Sequence, residues 1–147
     1  PEGRVTPVKR AVSVVVFEPG ARARVLAVRR PPDDEDFPDA WGLPAASLRE
    51  GETWEDAVRR AGHDKLGVEL AVGPMRAEGS RARGGSTLAM RLYEATIAGG
   101  LPRVPQRAAD VTQYTAWEWS DPSRLQPAAR RGSLCSRLCL GWLTGAR

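Results

Sequence analysis

An α/β fold, a sandwich with a mixed β-sheet between helices, is predicted for this chain by three observations. Residues 11 to 17, AVSVVVF, form a β-branched run closed by Glu18-Pro19-Gly20, the pattern of a buried strand followed by a turn. A helix with both ends written in its residues runs from Thr53 to Gly67. Strand-like runs then lead to a last apolar helix, so the order strand, strand, helix, strands, helix suits a layered α/β domain.

The elements follow in order. Residues 23 to 29, ARVLAVR, alternate enough to pair with the first strand as a hairpin. The acidic, proline-rich segment 31–38, PPDDEDFP, is excluded from helix and central strand and reads as a loop. Trp41-Gly42-Leu43-Pro44 opens a short extended stretch reaching Leu48. Thr53 with Asp56 three residues on is a capping-box arrangement, and Gly67 supplies a left-handed exit. Between them Trp54, Ala57, Val58, Ala61 and Leu66 trace an apolar stripe at helical spacing. Gly62 in that interior costs about 1 kcal/mol relative to Ala, which implies close packing or a bend there. Residues 68 to 78 and 86 to 98 read as strands around a turn from Gly79 to Gly85, and residues 99 to 110 as loop. Gln113 to Trp119 reads as another strand, Ser120-Asp121-Pro122 as a turn, and residues 128 to 143 as the final helix.

At 147 residues the chain fits a single domain, 1–147, large enough to bury a core without staples. A hydrophobic content of 41% and a charged content of 27% describe a soluble globular chain. The net charge of +4 rests on scattered arginines, since Lys9 and Lys65 are the only lysines, and it favours phosphorylated ligands. No run of like charge resembles a nucleic-acid tail and basic residues alternate with acidic ones, so nucleic acid ranks well below small phosphorylated ligands as a partner. No apolar run has transmembrane length and no signal-peptide pattern is found. Cys135 and Cys139, four apart in an apolar helix, read as reduced core thiols, which fits a cytoplasmic protein. The chain opens at Pro1 rather than Met, which points to processing or trimming.

The segment Ala46 to Val68 reads ASLREGETWEDAVRRAGHDKLGV. It resembles the Nudix box, G-x5-E-x7-R-E-U-x-E-E-x-G-U, with matches at Glu52, Arg60, Gly67 and Val68. Ala46 stands at the first Gly, Ala61 at the Glu after Arg60, Gly62 at an aliphatic, Asp64 at the next Glu and Lys65 at the last. The likeness extends to VSVVVFEPGARARVLAVRRPP, to FPDAWGLPAASLREGE and to Tyr114–Leu125. It implies a Nudix-type α/β/α sandwich with a central mixed β-sheet, of the MutT-like hydrolase kind.

The resemblance implies water attack on a phosphoanhydride, with Mg²⁺ or Mn²⁺ screening the phosphate oxygens. Hard divalent ions want carboxylate oxygens, and acids at i, i+3 and i+4 converge on one helix face. Those three seats hold Ala61, Asp64 and Lys65, so the cation is expected to bind weakly if at all. Asp64, with Glu50 as a replacement carboxylate, is the expected metal-binding set. Asp110, in the loop before the late strand, is the best-placed second catalytic acid beside Asp64, and Glu118 a poorer one. Glu52 and Arg60 are expected to tie the box loop to its helix. Lys65 has three readings: a partner for Asp64, a point charge on a ligand phosphate, or a solvated helix residue. Arg29 and Arg30 stand where they could meet phosphates, and Phe37 and Trp41 where a ring could stack on a base or anchor the loop. His63, the only histidine, is read as a surface residue that does not share a face with Asp64. The arginines at 76, 81, 83 and 91 are read as solvated.

Two functions compete. One is hydrolysis of a phosphoanhydride in a nucleoside-diphosphate-linked substrate, with an impaired metal site. The alternative is a catalytically silent Nudix-fold protein that binds a nucleotide-like ligand. An interaction module has no residue feature behind it. The resemblance also implies a homodimer as an available assembly, which no residue pattern fixes.

Overall fold

The structure, a computed structural model, describes residues 7–145; the reading of Pro1 lies outside them. Strand β1 (Val8–Val15) lies inside a mixed four-stranded sheet, antiparallel to β5 (Ala45–Ser47) and parallel to β7 (Ser86–Gly99). β6 (Glu69–Arg83) completes that sheet by pairing antiparallel with β7. A second, antiparallel sheet holds β2 (Phe17–Glu18), β3 (Ala21–Arg29), β4 (Trp41–Gly42) and β8 (Ala116–Ser120), with β3 paired to the other three.

The expected hairpin between residues 11–17 and 23–29 forms only at its turn end, where Phe17 pairs with Val25; before that the chain lies in the other sheet. β1 gives its ladder to β5 and β7, and only at Val16 does the backbone turn to accept the Leu26 amide, at 2.8 Å. The reason lies in burial: β1 is apolar on both faces, so it needs neighbours and cover on both sides. Val12, Val14 and Val16 pack with Leu26, Val28, Ala57, Val58, Ala61 and Leu66. Ala11 and Val15 pack instead with Val25, Leu92, Leu134 and Cys139. The two clusters lie under α1 (Trp54–Ala61) and α3 (Leu134–Leu143), the helical layers of the sandwich.

Three boundaries differ from the sequence reading. The expected turn at 79–85 is strand until Gly84-Gly85, because β6 keeps pairing with β7 through Arg81↔Leu88 and Arg83↔Ser86. The final helix is broken into α2 (Gln126–Arg130) and α3 by Gly132, whose φ of 100° suits glycine alone. The late strand begins at Ala116 rather than Gln113.

α1 starts as expected, with Thr53 Oγ1 accepting the Asp56 amide at 3.0 Å, while the Asp56 carboxylate turns to Arg59. From Gly62 the helix widens into a π turn (Gly62–Leu66) and exits at Gly67 with φ 69°. Gly62 packs closely: a Cβ there would lie 2.6 Å from Leu70 Cγ and 3.2 Å from the Val68 carbonyl oxygen. Leu70 is itself in the core and cannot swing away. Overpacking costs typically 1–3 kcal/mol, against about 1 kcal/mol that Ala gains in helix propensity. Gly62→Ala is therefore expected to lose about 1 kcal/mol, read as a lower urea midpoint; a more stable variant would show that the turn has room.

Candidate functional site

A cavity of about 740 Å³ opens between loop 31–38, the β6–β7 hairpin, β5, the π turn, the segment 110–113 and the start of α3. Arg30, Phe37, Lys65 and Asp110 line it; Arg29, Trp41, Asp64 and Glu50 do not. Neighbouring residues of an extended chain point to opposite sides, which separates Arg30 from Arg29. Arg29 turns outward to Asp39, with 3.4 Å between charged atoms, and Trp41 lies under the Arg124 guanidinium at 4.8 Å. Arg30 pairs with Asp34 at 3.2 Å. Burial opposes its charge, yet Tyr114, Cys135 and Asp34 outweigh that and raise its pKa.

Lys65 sits at the cavity floor. Only 7% of it is exposed, and its Nζ donates to the Ala45 carbonyl at 2.5 Å while lying 5.3 Å from the Tyr114 ring centroid. It is neither solvated nor paired with Asp64. An ammonium carries three N–H donors, and this one uses a single protein acceptor. The Ala45 peptide is held in turn by Tyr114, whose hydroxyl accepts from its amide at 3.0 Å and donates to its carbonyl at 3.3 Å.

Asp64 faces away from that floor. Its Oδ1 meets His63 Nδ1 at 2.9 Å and its Oδ2 lies 3.9 Å from Arg49. The expectation that His63 and Asp64 diverge is corrected by this contact: exposed and unhindered, the His63 ring folds back onto its neighbour. His63 is otherwise the surface residue expected, with its side chain 85% exposed. Glu50 is exposed on the box loop, and Ala61 is fully enclosed in the core. Among the described residues, no three Asp, Glu, His or Cys side chains gather as a metal-binding group.

The scaffold pair is intact. Arg60 Nε donates to Glu52 Oε2 at 2.8 Å, and its NH2 reaches Glu52 Oε1 at 3.0 Å and the Ser47 carbonyl at 2.6 Å. These hydrogen bonds hold the Glu52 carboxyl below its ordinary range despite partial burial, with the Arg49 amide adding to the effect.

Several residues on or behind the cavity wall carried no usable signal in the sequence. Tyr114 reaches back across the fold to Ala45, and Gln113 bridges the Asp64 and Ala108 carbonyls at 3.2 and 3.3 Å. Arg81 and Arg83, read as solvated turn residues, line the cavity because β6 extends that far. Asp110 adopts φ 63°, a turn conformation tolerated by Asp. The cysteines are free and buried, and Cys139 is pushed up to about 12 by burial and then by Cys135. Cys135 lines the cavity wall. No described helix is long and apolar enough to cross a membrane.

The NUDIX domain family model matches residues 7–133. No curated protein matches the sequence. Among solved structures, the chain is similar to a NUDIX hydrolase from Nitrosomonas europaea, with TM-score 0.73 and 16% identity over 96% of this chain and 91% of that one. It is similar to a MutT NUDIX hydrolase from Burkholderia pseudomallei, with TM-score 0.64 and 21% identity over 79% and 84%. It is also similar to the NUDIX domain of Shewanella oneidensis NrtR complexed with ADP ribose, with TM-score 0.62 and 18% identity over 95% and 86%. At such identities the structural likeness speaks to the fold, while the family model spans most of the sequence. The chain belongs to the Nudix family.

Proposed function

We propose that this domain binds a nucleotide-like diphosphate through its own cations and turns it over poorly. The observation that carries this reading is Lys65: a buried ammonium at the cavity floor with one acceptor for three donors. An anionic ligand oxygen supplies the missing acceptors through charge-assisted bonds. Arg30, its charge shared with Asp34, stands on the same wall, and Phe37 has one ring face under Arg81 and the other as a stacking partner for a base.

Nudix hydrolases generally use divalent metals. The donor set here does not fit a hard divalent cation: Ala61 offers a methyl, Lys65 a like charge, and the Asp64 oxygens are turned to His63 and Arg49. The hydrolase reading is favoured by Asp110, a carboxylate on the cavity wall. Against it, Asp64 and Glu50 lie off that wall.

ADP ribose is a motivated probe because a Nudix domain of the same fold was solved with it. Titrating ADP ribose in EDTA is expected to give saturable heat, changed less than about threefold by Mg²⁺ or Mn²⁺. Phosphoanhydride cleavage stays near background. Metal-dependent turnover abolished by Asp64→Ala would establish the hydrolase instead, and absence of binding under all conditions would overturn both.

A further inference from the structure

Loop 31–38 is acidic, yet it is docked on basic residues. Asp34 shapes it from within, accepting the Phe37 and Asp36 amides at 2.9 and 3.3 Å and facing Arg30. At the loop's tip the carboxylates reach across to the β6–β7 hairpin. Asp36 accepts from Arg83 at 2.5 Å, and Glu35 lies 3.8 Å from the same guanidinium. The Arg81 guanidinium lies 5.8 Å from the Phe37 ring centroid, and its Nε is buried without a hydrogen-bond partner. Arg81, Arg83, Glu35, Asp36 and Lys65 all line one cavity.

Residues two apart on a strand share a face, so Arg81 and Arg83 present two guanidinium forks to the same space. A guanidinium fork can give a phosphate two parallel bonds, whereas Arg83 meets Asp36 and Glu35 through a single nitrogen, NH2. The pairs holding the loop are partly solvated; the Glu35 side chain is 90% exposed. Ion pairs of that kind shift an equilibrium by only about two- to fivefold, so a multiply charged phosphate displaces them.

We propose that Arg81 and Arg83 form a second phosphate subsite, occupied at rest by the chain's own Glu35 and Asp36. The loop carboxylates act as tethered stand-ins for a ligand anion and leave when it arrives. The ligand class is accordingly a nucleotide carrying a third phosphate group, whose first two meet the floor. This extension rests on the reading of Lys65 given above for those two groups, while the hairpin subsite itself does not depend on it.

The test is calorimetry of inorganic pyrophosphate and tripolyphosphate on the full chain in EDTA at low salt. Wild type is expected to prefer tripolyphosphate by about tenfold, and Arg81→Gln with Arg83→Gln to lose that preference. Glu35→Gln with Asp36→Asn is expected to tighten tripolyphosphate about threefold by vacating the hairpin. The gains persist when Lys65→Met is added, which lowers both probes together. An unchanged preference in the arginine variant, or weaker binding in the acid variant, would overturn the subsite. Insensitivity of both probes to Lys65→Met would instead remove the floor reading and leave the subsite standing. Failure of both probes to bind any variant would remove both.

Discussion

Lys65→Met is expected to weaken ADP ribose binding in EDTA by about a hundredfold while leaving the domain folded. Methionine keeps an unbranched apolar stem of similar reach in the buried channel beside Tyr114, so packing is largely preserved. What disappears is the charge. Hydrogen bonds to charged groups contribute about 1.5–3 kcal/mol each, and one such loss in a desolvated site accounts for the hundredfold. The domain also forfeits the Nζ bond to the Ala45 carbonyl, about 1.5–3 kcal/mol for a charged donor, offset in part because no ammonium then has to be desolvated. Calorimetry with a parallel thermal melt separates the two effects. Lys65→Arg keeps the charge but adds bulk at the enclosed floor, so it is expected to fall between. Wild-type affinity in Lys65→Met would reduce the lysine to a tie for β5.

Arg60→Ala carries the largest expected stability loss, about 2–3 kcal/mol. The Arg60 and Glu52 side chains are each only 13% exposed, and the contact is bidentate, with a further bond to the Ser47 carbonyl. Removing a partner from a fully buried pair costs 3–5 kcal/mol, and the residual solvent here lowers that figure. Glu52 would remain with the Arg49 amide alone, at 2.9 Å. The same pair predicts acid sensitivity. Glu52 is held below the ordinary glutamate value of about 4.3, so its contribution is complete above that pH and fades as pH falls through the lower folded value. Glu94 behaves likewise, held down by Arg22 and then Arg76 against partial burial. Melting temperature is therefore expected to drop below about pH 4 in wild type and to drop less steeply in Arg60→Ala. Parallel pH profiles would show that Glu52 is not the group concerned.

The layered fold, the capped helix and the Glu52–Arg60 tie were legible because local rules write them: β-branched runs, a threonine cap, a left-handed glycine exit and a pair at the spacing of a known motif. The strand partners were not. A run apolar on both faces announces burial without naming its neighbours, so Val8–Val15 looked like half a hairpin when it belongs between β5 and β7. Lys65 was legible as an anomaly in the motif but not as a buried donor, since its acceptor is a backbone carbonyl twenty residues earlier. Tyr114 and Gln113 lie where pattern reading saw only strand, and their contacts depend on a loop path with no periodicity. Arg81 and Arg83 were hidden by a misplaced turn: Gly79 and Ser80 read as breakers, yet Gly79 sits where Leu138 of α3 approaches to 3.1 Å of a would-be Cβ. Its missing side chain serves helix packing.

The passage of the chain from one sheet to the other at Val16 also sets how the domain comes apart. A single uninterrupted stretch supplies the interior strand of the mixed sheet and the central strand of the antiparallel one, with side chains in both apolar clusters. Peeling either sheet open pulls on the other through bonded backbone, so partial opening exposes both clusters together. The domain is therefore expected to unfold as one cooperative unit, with the slowest amide exchange shared by the two sheets.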